Sequence, residues 1–151
     1  MDFIANMKGT VKLDLRYKSF QDDLRKIIKS DAKDIFVLGA VVGYKNSSKS
    51  DSFEQGGIEF RPVYLNKEDR SILYTIAYDI YGDDFIKNIG KEDFQKEVFT
   101  ELMKYCNGGM DILYSTVFKD NMTEGEFRSG YTEYDTDLMK YIYQSLTEVP
   151  F

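Results

Sequence analysis

The sequence predicts a predominantly all-α protein, a single compact bundle of five or six helices. Three observations carry that expectation: apolar residues recur at helical spacing from Ser19 onward, acidic or polar caps precede those stretches, and glycines close them. The N-terminal 1–18 reads as an arm before a helical domain at 19–151, with a polar loop at 45–57. Val11, Leu13, Leu15 and Tyr17 alternate with Lys12, Asp14 and Arg16, a period of two. That period fits a short half-buried strand or an extended arm.

Ser19, with Asp22 three residues on, is a candidate cap for the first helix, whose stripe is Phe20, Leu24, Ile27 and Ile28. A second helix is expected from Ser30 or Asp31, with Asp34 complementing its dipole. Its body, Ile35 to Val42, is apolar on every side and is the candidate centre of the core. Gly39, Ala40 and Gly43 within it match no phosphate-loop spacing and suit the close approach of another helix. From Lys45 to Gly57 the polar composition predicts a surface loop, and Ile58, Phe60, Val63 and Leu65 around Pro62 an extended stretch.

Asn66 and Asp69 form a predicted cap for a helix carrying Ile72, Leu73, Ile76, Ala77, Ile80 and Tyr81, ended by Gly82 in a left-handed turn. After a connection at 83–90, a helix from Lys91 to Asn107 carries Phe94, Val98, Leu102 and Tyr105. Gly108 and Gly109 are expected to break it before a short helix reaching Phe118. The last helix, from Thr136 or Asp137 to Thr147, carries Leu138, Met139, Ile142 and Leu146, and Pro150 marks its end.

Composition narrows the chemistry. Histidine is absent, so no Ser-His-Asp triad, Cys-His pair or HExxH zinc site exists here, and one cysteine builds no disulfide. Cys106 reads as a small core residue. Paired carboxylates remain: Asp83-Asp84, Glu92-Asp93, and Glu97 with Glu101 one turn later, where two oxygens could share a cation. Helix-start and solvent-face roles are the favoured reading, because no histidine accompanies them. The expectation is no catalytic residue, no metal and no cofactor. With no apolar run of spanning length and no leader pattern at the start, a cytoplasmic protein with no membrane partner is expected.

Net charge is −6, which favours a protein partner over nucleic acid. Arg16, Lys18, Arg25, Lys26, Lys29, Lys45 and Lys49 are the candidate contacts for DNA if a local basic patch forms. Among 12 tyrosines, Tyr131, Tyr134, Tyr141 and Tyr143 crowd the C-terminal part and are candidates for a partner interface, with core filling as the alternative. Homo-oligomers remain open.

The stretch Asp34-Ile35-Phe36-Val37-Leu38-Gly39-Ala40-Val41-Val42-Gly43-Tyr44-Lys45-Asn46 resembles a small-protein family associated with bacterial DNA phosphorothioation (dnd) systems, the dnd-system-associated protein of the fourth type. There an apolar helix of the form F-x-L-A/G-A-x-x-G-[FY]-K precedes a polar loop. Tyr74-Thr75-Ile76-Ala77 with Gly82-Asp83, and Glu101 to Gly109, are similar to two later helix segments of that family. Cys106 departs from its pattern, where alanine is expected, and the N-terminal arm and C-terminal third are not covered. The resemblance implies a non-catalytic accessory of a DNA-modification or anti-phage defence cassette, bound to a larger ATPase or nuclease subunit. It carries over no catalytic residue. Similar helical subunits accompany ATPases of other defence systems.

Overall fold

The computed structural model describes residues 2–52 and 54–147. Among them are six α-helices and two short two-stranded ribbons, a predominantly all-α compact fold. No helix among the described residues is long and apolar enough to cross a membrane. Pro150, expected to mark the end of the last helix, lies outside the described residues.

The N-terminal segment is built into the body. Phe3 and Ile4, at the start of a 3-10 turn at Ile4–Asn6, are buried. The period-two stretch is strand β1 (Val11–Asp14), paired antiparallel with β2 (Gln55–Phe60) through Val11↔Phe60 and Lys12↔Glu59. Leu13 and Phe60 turn inward and both are buried. The expected loop at 45–57 therefore ends earlier, because Gln55, Gly56 and Gly57 belong to a strand.

Helix α1 (Lys18–Ile27) starts without a side-chain cap, and Ser19 does not supply one. Asp14 acts one turn earlier, accepting from the Arg16 N–H at 3.0 Å to start a 3-10 turn at Leu15–Tyr17. Helix α2 (Ala32–Lys45) begins as expected after Asp31, whose N–H donates to the Asp34 carboxylate at 3.0 Å. Ile35, Phe36, Ala40 and Val42 are buried, while Val41 is partly open to solvent. Helix α3 (Lys67–Tyr81) shows the reciprocal cap of Asn66 and Asp69 and stops at Gly82, φ 60°. The residues after it form a short helix α4 (Asp83–Asn88), where the sequence suggested a connection.

Helix α5 (Glu92–Ile112) runs straight through Gly108 and Gly109. The two glycines serve packing. A Cβ at Gly43 would lie 1.9 Å from the Tyr105 carbonyl oxygen, and one at Gly109 would lie 1.9 Å from that of Gly39. The backbones of α2 and α5 touch, which no residue with a side chain permits. This is the most extensive contact between elements. Phe36 sits there between Phe60 at 5.2 Å and Phe99 at 5.4 Å.

Past Ile112 the coil widens into π-helical turns at Leu113–Phe118, so that Leu113 and Phe118 both reach the core. A tight hairpin follows, β3 (Met122–Thr123) with β4 (Glu126–Phe127), closed by Glu124 and Gly125 at positive φ. Helix α6 (Tyr134–Thr147) completes the fold, starting two residues before the predicted cap. Tyr134 stacks on Phe127 at 4.1 Å and anchors α6 in an aromatic nest with Phe118.

Candidate functional site

Helix α6 owes its character to two apolar sectors. Tyr134 and Leu138 are buried, and Tyr141 and Ile142 pack against the core. Met139, Tyr143 and Leu146 recur at helical spacing on a neighbouring sector and are 65%, 68% and 65% exposed. One helix thus buries one apolar face and presents another. The C-terminal turns are held by Lys45 Nζ donating to the Ser145 carbonyl at 2.5 Å, and by Asn46 donating to the Tyr141 hydroxyl at 3.2 Å. A preformed helix offering a Met-Tyr-Leu stripe loses little conformational entropy on docking, which favours association.

Of the four candidate interface tyrosines, Tyr143 alone is openly exposed. Tyr134 is 2% exposed and belongs to the core, its hydroxyl donating to the Asn121 carbonyl at 2.5 Å. Tyr131 donates to Asp137 at 2.6 Å, and that bond pushes its hydroxyl pKa up to about 12. Tyr141 is half-buried against the core. Periodicity alone placed Met139 and Leu146 with the core residues of α6, and it missed their exposure. The sign available in the sequence was an apolar arc wider than one contact face fills.

A second apolar area lies between α2 and α3, a depression of about 400 Å³ with Val41 and Ile72 partly exposed at its surface.

Five of the seven candidate DNA contacts are engaged by other groups of the chain. Arg16 pairs with the fully buried Asp14 at 2.8 Å. Arg25 and Lys26 both pair with Asp22. Lys45 is bonded to α6, and Lys49 pairs with Glu101 at 3.0 Å. Lys18 and Lys29 are exposed and make no ion pair among the described residues. Lys18 and Arg25 do meet along one depression, joined by Lys12, which the sequence reading had not marked.

Of the carboxylates, Glu101 is held by Lys49 and by Lys104 at 3.1 Å. Burial alone would raise its pKa, but those two ammonium partners bring it below the usual carboxylate value. Glu97, one turn away, stays exposed. Cys106 is fully buried, and that burial pushes its thiol pKa up, away from thiolate chemistry. Asp111 is raised by burial and by the charge of Asp14, with Arg16 opposing. Comparison with protein-family models, curated proteins and solved structures returns no match for this chain.

Proposed function

We propose that the chain is a non-catalytic accessory that acts through protein–protein contacts, docking a larger subunit on the exposed face of α6. The observation that carries this reading is the Met139, Tyr143 and Leu146 stripe, three large apolar side chains in solvent on a helix already anchored in the core. The net charge of −6 supports a protein partner. The setting, a bacterial DNA-modification or anti-phage defence complex with an ATPase or nuclease as the larger subunit, rests on the resemblance of residues 34–46 and 101–109. A cytoplasmic location goes with that setting. Direct DNA contact through the seven basic residues finds less support, because five of them are engaged by other groups of the chain.

Affinity capture from the native host tests the reading. The wild-type chain should retain one larger protein at stoichiometric level, and a Tyr143→Glu/Leu146→Glu variant should retain at least about tenfold less, the scale of one lost hot spot. Melting curves check that both fold. Equal retention by the two, or turnover of ATP or nucleic acid by the purified chain alone, sinks the proposal.

A further inference from the structure

Strand β2 has a partner on one side only. Its sheet holds β1 and β2, and no backbone group of Gln55–Phe60 bonds to any element other than β1 among the described residues. An antiparallel strand paired on one edge leaves half of its N–H and C=O groups pointing outward. Open edges of this kind invite a further strand. Most folds cover or distort them.

Here the strand borders a slot. Gly56, Gly57, Ile58 and Glu59 form one wall, with Lys18 and Arg25 of α1 opposite, around a depression of about 470 Å³. A second depression of about 540 Å³ continues past Phe60 to Arg61 and Tyr64. The two share Arg25, Ala32 and Glu59, so the slot follows β2 from Gly56 to Phe60. Six residues of strand correspond to roughly 20 Å, the length of an extended hexapeptide.

The charge of the slot opposes that of the chain. Lys12, Lys18 and Arg61 line it without an ion-pair partner among the described residues, against Asp31 and Glu59. Arg25 is held by Asp22, and Lys33 by Asp34 and Asp69. Arg61 lies over the Tyr64 ring at 5.8 Å, and Tyr64 is 60% exposed at the slot's end. Arginine and tyrosine side by side are favoured anchors for a bound chain.

We propose that the β2–α1 slot binds an extended acidic peptide segment of a partner protein, which adds to β2 as a third strand. Backbone bonds to β2 supply affinity, and carboxylates meeting the unpaired Lys12 and Lys18 supply selectivity. Nucleic acid fits less well, since a phosphodiester backbone has no N–H to donate to the outward carbonyls of β2. This inference rests on the accessory reading, and it names a second surface for the same partner.

Titration of the 15N-labelled chain with an alternating Val-Glu octapeptide is the test, followed by amide shifts and hydrogen exchange. The Val-Glu peptide should give saturable shifts at residues 55–61, with new exchange protection on β2. The Lys12→Glu/Lys18→Glu variant should bind at least tenfold more weakly, and a Val-Lys octapeptide should give no shift. No saturable shift, shifts centred elsewhere, or equal binding of the Val-Lys peptide overturns the proposal. So does a dT12 oligonucleotide that shifts the same residues more strongly than the acidic peptide. The two readings fail separately: a captured partner indifferent to the Lys12→Glu/Lys18→Glu change removes the slot and leaves the α6 docking face standing.

Discussion

The α2–α5 contact and the N-terminal layer (residues 2–27) share one apolar core, yet they are held by different means. Between α2 and α5 the backbones meet at glycines, and Phe36, Val98, Leu102 and Met110 close around them. Such a contact is dry and steric, so it tolerates no added atom. The N-terminal layer adds polar ties to its buried Phe3, Ile4, Leu13, Phe20 and Leu24. Asp2 reaches Tyr74 and Arg70 on α3, and Asp14 ties Arg16 and starts the turn before α1. Gln21 lies fully buried on α1 with neither amide atom hydrogen-bonded. The spine is set by shape, and the layer carrying the β2–α1 slot by apolar burial joined to polar contacts that respond to substitution and pH.

Adding one methyl group separates the two regimes most sharply. Gly43→Ala places a carbon against the Tyr105 carbonyl, and the clash is with backbone, which cannot rotate away. Elsewhere in a helix the same change stabilises, because alanine restricts the unfolded chain. Here we expect a loss of about 3 kcal/mol or more, near the upper end for overpacking. Urea denaturation measures it. Gly130→Ala is the matched control, since a Cβ there meets nothing within 4 Å, and it should be neutral or raise stability by about 0.5 kcal/mol. Equal effects at the two positions would mean that the helices are free to move apart.

The sequence disclosed what depends on neighbours along the chain. The Asn66–Asp69 cap, Gly82 at positive φ and the start of α2 at Asp31 are all local features, and each lies where the pattern placed it. The period-two stretch 11–17, by contrast, is strand only over Val11–Asp14 and turns 3-10 at Leu15. Close approach at Gly39 and Gly43 was also legible, because small residues in an apolar helix have few other uses. The glycine pair at 108–109 misled, since its local meaning is a break and its actual partner lies about seventy positions earlier. The strand character of Gln55–Gly57 was hidden for the same reason: only pairing with β1 reveals it. In α6 the periodicity marked the apolar residues but not which of them the body would cover. The slot was illegible too, because Lys12, Lys18, Arg25 and Arg61 are brought together by three separate elements.

A gentler probe of the polar layer is its buried amide. An amide buried without partners is unfavourable by about 1–3 kcal/mol relative to an apolar group of similar shape. Gln21→Leu should therefore stabilise the fold by about 1 kcal/mol, read from the shift in the denaturation midpoint at constant slope. The same substitution in the spine, Asn107→Leu, removes a second unpartnered buried amide and should act in the same direction. A loss of stability at Gln21 instead would show that an internal water bridges the amide, and the layer would then be better satisfied than its direct contacts indicate.

The smallest effect expected is at the edge of the layer, where protonation replaces mutation. The Tyr74 hydroxyl donates to Asp2 at 2.6 Å and Arg70 Nε at 2.9 Å, and these bonds hold the Asp2 carboxyl below its ordinary value of 3.8. A carboxyl depressed in the folded state stabilises it above the unfolded value, and that contribution disappears as pH falls through the folded one. Asp2 is nearly half exposed, so screening keeps the difference below about 1 kcal/mol at neutral pH. Wild type should exceed Asp2→Asn by that margin at pH 7, and the gap should shrink to nothing in acid below the folded value. The Ile4 amide, bonded to the Tyr74 hydroxyl at 3.0 Å, reports the same event locally through faster hydrogen exchange in the variant. Unchanged exchange at Ile4 would place the hold on the N-terminal turn in the burial of Phe3 and Ile4, and the layer would then be fixed by shape as the spine is.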